Sequence, residues 1–167
     1  MVIHTTLYDT WQPGTTANAE ATLFQTPQGG DATHNEQFTN MRGAGQLPSE
    51  EKFTLRNIKL IIDEQIAEAD FDTRLYTSFI ELRVKDKTLL KAPSAMFFAH
   101  SAYGGHFTQA TAALTQAIGP AGNGFELRIP ITIDGGVRFL VRCVQGAAFA
   151  SAIDHKIVLE GELDIPD

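Results

Sequence analysis

The sequence predicts an all-β protein: an antiparallel two-sheet β-sandwich, with one short helix or long loop around residues 106–118. Three observations lead there. Several segments alternate apolar and polar residues with a period of two, which is the mark of half-buried strands. Turn residues separate those segments, as in Asp134-Gly135-Gly136, because glycine accepts positive φ freely. Helical spacing is confined to one stretch, so the strands follow one another and pair mostly antiparallel.

Residues 1–50 read as an extended N-terminal arm or edge strands, packed on the main body or on a neighbour, and residues 51–167 as the sandwich itself. The first part is rich in Thr, Asn, Gln and Gly, which form helices poorly. Isolated aromatics punctuate it at Tyr8, Trp11, Phe24 and Phe38. Such anchors suit a buried contact, so these four are candidate subunit-interface residues. From Phe53 the signal is β. Phe53 and Leu55 are out of phase by one residue with Ile58, Leu60 and Ile62, which predicts a bulge near Arg56-Asn57. Ile80, Leu82 and Val84 alternate with Glu81, Arg83 and Lys85, a strand with one wet face. Asp86-Lys87 then predicts a tight turn into Thr88-Leu89-Leu90. His106 to Ile118 places Phe107, Ala110, Leu114 and Ile118 at helical spacing, with Gly119-Pro120 as a stop. Phe125, Leu127, Ile129, Ile131 and Ile133 form the clearest alternation, and Pro130 puts that strand at an edge or interrupts it. Val137, Phe139, Val141 and Cys143 share the next inward face, and Ile157 to Ile165 forms the last strand.

With 167 residues, the chain is one domain's worth and buries about 70% of its unfolded surface. No apolar run approaches the ~18 residues that span a bilayer. The N-terminus lacks a basic segment followed by an apolar core, so no signal peptide is expected. There are 13 basic and 20 acidic residues, a net charge of −7, and direct nucleic-acid binding is not expected of such a balance. Cys143 is the single cysteine and reads as a small core hydrophobe. The acids Asp63, Glu64, Glu68, Asp70 and Asp72 read as a solvated loop, without EF-hand spacing. Gly43-Ala44-Gly45 and Gly104-Gly105 lack the Lys-Ser or Lys-Thr of a phosphate loop. No catalytic constellation, cofactor site or metal site is nominated. Two other functions stay open at this point. Trp11, Tyr76 and Tyr103 with nearby carboxylates would suit a carbohydrate-binding module or lectin-like sandwich, and His100 with His106 would suit a small metal-dependent β-barrel enzyme.

The order of segments carries a resemblance. Phe38-Thr39-Asn40-Met41 leads to Ala44-Gly45-Gln46-Leu47-Pro48 and the strand Phe53 to Ile62. Ile80-Glu81-Leu82-Arg83-Val84-Lys85-Asp86-Lys87 runs into Leu89-Leu90-Lys91-Ala92-Pro93. After a long loop come Phe125-Glu126-Leu127-Arg128-Ile129-Pro130-Ile131, Val137-Arg138-Phe139-Leu140-Val141-Arg142 and Lys156-Ile157-Val158-Leu159-Glu160-Gly161-Glu162-Leu163. Over residues 38–165 this resembles the single jelly-roll structural proteins of tailless icosahedral bacteriophages, including small major capsid proteins. The resemblance rests on pattern order and has no signature motif. It implies two four-stranded sheets and a capsid subunit that self-assembles into the icosahedral shell. The expected place is the virion, after synthesis in the host cytoplasm. The expected partners are further copies of the chain, a second capsid protein and an underlying viral membrane. The family has no catalytic residues to carry over, so no enzyme activity is expected.

Overall fold

The computed structural model describes residues 1–62, 66, 68–99, 106–108, 115–117, 123–150 and 152–166, with the backbone alone at 68, 106–108 and 115–117. Its strands are β1 (Val2–Trp11), β2 (Glu20–Leu23), β3 (Lys52–Ile62), β4 (Phe79–Val84), β5 (Lys87–Pro93), β6 (His106–Thr108), β7 (Thr115–Ala117), β8 (Phe125–Asp134), β9 (Phe139–Val144) and β10 (His155–Asp164). One sheet has the order β1-β10-β3-β8 and the other β2-β9-β4-β5. Each neighbouring pair in these two sheets is antiparallel. Four of the pairs, β1–β10, β2–β9, β3–β8 and β4–β5, are those of one long hairpin rolled over on itself, which is the single jelly roll. β1 lies beside β2 across the sandwich, so β8 and β5 close the opposite flank.

The core between the sheets follows the alternation. Phe53, Leu55, Ile58 and Leu60 of β3 are all fully buried, although the two pairs are out of phase. Against β10 the register passes from Asn57↔Glu160 to Leu55↔Gly161, so Arg56 is the bulged residue, and against β8 it jumps from Leu55↔Ile131 to Asn57↔Glu126. The same jump leaves residues 127–130 of β8 without ladder partners, and Pro130, which has no N–H to give, sits among them. Ile129 therefore leaves the inward face that its spacing predicts and is 82% exposed. Gly161 of β10 lies at the matching irregularity, and a Cβ there would stand 2.1 Å from the Thr54 carbonyl oxygen.

Other expectations are corrected by local chemistry. The β4–β5 turn is centred on Lys85-Asp86, one residue early, with both residues at positive φ, as a two-residue type I′ hairpin requires. Glu81 is 4% exposed, although it sits on the polar face of its strand. Arg142 of β9, Arg83 and Thr88 all donate to its carboxylate and cover it. The described parts of 106–118 form the antiparallel β6–β7 pair, so no helix spans that stretch. Among the described residues the α-helix is Glu68–Asp72, followed by a π-helical turn over Thr73–Thr77. Asp70 in that helix is buried, and its carboxylate accepts the Ala150 N–H at 2.8 Å, so it is no solvated loop acid.

The first 23 residues supply both strands of one flank, β1 and β2. The outer edge of β1 does not stay open. Asn40 accepts the Tyr8 N–H at 2.8 Å through its side chain and donates to the Thr6 carbonyl at 2.7 Å. Its own N–H reaches the Tyr8 carbonyl. These bonds occupy the edge at Thr6 and Tyr8 and interrupt the ladder that β1 could offer another chain.

Candidate functional site

The flank between β1 and β2 holds a cleft of about 530 Å³, within the ~300–1,000 Å³ typical of small-ligand sites. Trp11 ends β1 and Phe38 comes from the loop that follows β2, and both line the cleft. Asp154 and His34 join them from distant parts of the chain. Asp154 arrives because Trp11 pairs in register with His155. Gln12 Nε2 donates to Asp154 Oδ1 at 3.1 Å. The His34 ring is held by its Nδ1, 2.7 Å from Asp31 Oδ1. That contact, with the Thr33 hydroxyl and the local backbone N–H groups, holds the Asp31 carboxyl well below the usual carboxylate range. A second depression of about 380 Å³ adjoins the first and shares Thr10, Phe38 and Asp154 with it. The hydroxyl of Thr10 is buried and has no hydrogen-bond partner.

Trp11 is held by a buried polar cluster at the loop end of the sandwich. The Arg74 guanidinium lies 5.4 Å from the indole centroid and 4.8 Å from the Phe149 ring. Arg74 is 1% exposed, and none of its three side-chain nitrogens has a hydrogen-bond partner. Burial lowers its pKa from 12.5 to about 10. The His155 ring packs against Trp11 at 5.2 Å and edge-on against Phe149 at 5.5 Å. His155 is fully buried, and burial together with the Arg74 charge pushes its pKa down to about 3. It is therefore neutral, so Nδ1–H donates to the Ile153 carbonyl at 2.9 Å and Nε2 is left as an unpaired acceptor. Asp9, at the cleft wall, is also buried. Its carboxylate accepts the N–H groups of Phe24 and Thr10, while burial raises its pKa.

The four aromatic candidates thus divide. Trp11 and Phe38 meet at the cleft. Tyr8 donates its hydroxyl to the Glu36 carbonyl, with the Lys156 ammonium 5.1 Å from its ring. Phe24 is fully buried inside its own chain against Phe139, with φ at +67°, so it presents no surface to a neighbouring subunit. The Asp9 carboxylate on its N–H and the Gly45 N–H on its carbonyl hold that conformation. Tyr76 is exposed and does not line the cleft. Tyr103, His100 and the His106 side chain lie outside the described residues. Among the described residues, no three His, Cys, Asp or Glu side chains are grouped to hold a metal ion. Cys143 is buried, and its thiol is pushed up to about 12. No helix among the described residues is long and apolar enough to cross a membrane.

Arg74 and Asp154 are the members that sequence reasoning missed. Neither belongs to a motif. The available signal was indirect: each stands a few residues from the end of an alternating segment, at the end of the sandwich where loops converge.

Comparison with protein-family models, with curated proteins and with solved structures finds no match to this chain.

Proposed function

We propose that the chain is a structural subunit of a virus shell, a jelly-roll capsid protein that assembles with copies of itself. The observation that carries this reading is the strand order, β1-β10-β3-β8 over β2-β9-β4-β5. That order makes a two-layer block of paired antiparallel strands. Jelly rolls serve capsids, lectins and cupins alike, so the order of segments in the sequence supports the choice among them. The flank closed by β8 and β5 supports it too. There Ile129 is 82% exposed and Leu89 is 46% exposed, and Pro130 keeps the β8 edge from pairing strand to strand. A side-chain contact between copies fits such a flank better than a shared sheet does. A second shell protein and a membrane beneath the shell remain parts of the same proposal.

The test is solution mass by light scattering over a concentration series, with negative-stain electron microscopy of the heaviest fraction. Closed symmetric oligomers or shells are expected, and Ile129→Asp with Leu89→Asp should shift the mass toward the monomer. A chain that stays monomeric at every concentration, alone and with co-expressed shell proteins, would overturn the reading.

A further inference from the structure

We propose that the cleft between β1 and β2 is a binding site for a neutral oligosaccharide. This goes beyond the shell reading and does not depend on it. Three features carry the proposal.

The first is the pairing of aromatic and polar side chains. Trp11 and Phe38 supply apolar ring surface on the cleft wall, and the C–H faces of a pyranose pack on such rings. Gln12, Asp154 and Thr22 supply an amide, a carboxylate and a hydroxyl beside them. Only one Asp154 oxygen is engaged, by Gln12, and the other is left to accept from a sugar hydroxyl. Ordered aromatic walls with a few convergent polar groups are the usual make-up of a small-ligand site.

The second is shape. The adjoining depression shares Thr10, Phe38 and Asp154 with the cleft and continues past Gln37 and Lys156. Two linked depressions suit a chain of sugar units better than a single compact ligand. An extended peptide is disfavoured, because Asn40 already occupies the backbone groups of Thr6 and Tyr8 on the β1 edge. Recognition must therefore run through side chains.

The third is charge. The Asp154 carboxylate lines both depressions, and none of the described residues lining the cleft is Lys or Arg; Lys156 stands at the second depression, its ammonium donating to the Gln37 carbonyl at 2.9 Å. An acidic sugar in the cleft would meet the Asp154 carboxylate with no Lys or Arg among the described lining residues. A neutral one meets acceptors for its hydroxyls.

The experiment begins with a glycan array of neutral and acidic oligosaccharides, backed by saturation-transfer NMR at millimolar sugar to capture weak binders. The strongest neutral glycan is then titrated against wild type, Phe38→Ala, Asp154→Ala and Tyr76→Ala. Loss of about tenfold or more in affinity is expected for the first two variants, with no change for Tyr76→Ala. Phe38 and Asp154 are partly exposed, so these variants should fold, whereas Trp11→Ala also strips the packing of Arg74. Binding of acidic glycans alone, no glycan bound by either method, or neutral binding unaltered in both cleft variants would overturn the proposal. Light scattering of the same variants reads assembly separately, so failure here and failure of the shell reading are distinguishable.

Discussion

Replacing Arg74 by Met is expected to make the protein more stable. Arg74 is 1% exposed, and all three side-chain nitrogens lack hydrogen-bond partners. Burial drops its pKa from 12.5 to about 10. At about 1.4 kcal/mol per unit of pKa, holding the guanidinium charged inside the fold costs about 3 kcal/mol. The sign follows directly. At neutral pH the group is charged both folded and unfolded, so the whole penalty acts, and it would fade only as pH rises past about 10. Opposing it are the contacts with the Trp11 and Phe149 rings, together about 1–2 kcal/mol. Met keeps an unbranched apolar stem and adapts to irregular space, so little cavity results. The net gain is about 1–2 kcal/mol. For a domain of this size that raises Tm by about 3–6 °C. Urea denaturation followed by circular dichroism should show a higher midpoint with an unchanged slope. Arg74→Ala should instead lower stability, because it leaves a cavity. A Met variant less stable than wild type by about 1 kcal/mol or more would refute the reasoning, since it would show that an acceptor meets the guanidinium in solution.

Three further outcomes are expected. Stability should fall as pH drops from 6.5 toward 4.5: neutral His155, with its pKa lowered to about 3, binds protons less readily folded than unfolded. Arg74 and Asp70 are the charges acting on it. Asp9 acts with the opposite sign because its pKa is raised, and Glu81, lowered chiefly by its bond from Thr88, adds to the loss below about 4.5. Denaturation midpoints at pH 7.5, 6.5, 5.5 and 4.5 should trace the decline, and His155→Phe should flatten it above pH 5. Gly161→Ala should destabilise by about 2–4 kcal/mol, because its Cβ would meet the Thr54 carbonyl oxygen at 2.1 Å and the Phe53 ring at 3.0 Å; thermal denaturation checks this. Cys143 should react with a thiol reagent only as fast as the chain opens, since it is buried with its thiol pushed up to about 12, and native reaction at the rate of a free thiol would contradict its placement.

Much of the sandwich was legible because burial on one face writes itself into the sequence. The phase slip between Leu55 and Ile58 announced the bulge at Arg56, and Pro130 announced an edge strand. The failures share a cause, which is that alternation ignores the partner strand. Ile129 keeps the apolar spacing of β8, but the bulge opposite it removes its ladder and turns it outward. Glu81 keeps the polar spacing of β4, but Arg142 from β9 and Thr88 from β5 bury it. The helical spacing from Phe107 to Ile118 lost to strand pairing at its described positions. For the cleft, Trp11 and Phe38 stood out as isolated aromatics. Asp154 did not, since it lies 142 residues from Gln12 and meets it only through the pairing of β1 with β10.

The cleft sits where the short strand β2 meets the end of β1. β1 and β10 each run for ten residues, while β2, which faces β1 across the sandwich, has four. There Ala21, Thr22 and Leu23 of β2 face Thr10 and Trp11 across the cleft, and the loop carrying Ala32, Thr33, His34 and Phe38 covers it in part. Trp11 is fixed from within the domain by Arg74 and His155. An unpaired guanidinium in that place is a poor way to stabilise a fold and an effective way to hold one indole beside an open cleft. If the Met variant gains stability and loses sugar affinity together, the two observations have one explanation: the chain trades stability for a preset ring at its binding flank.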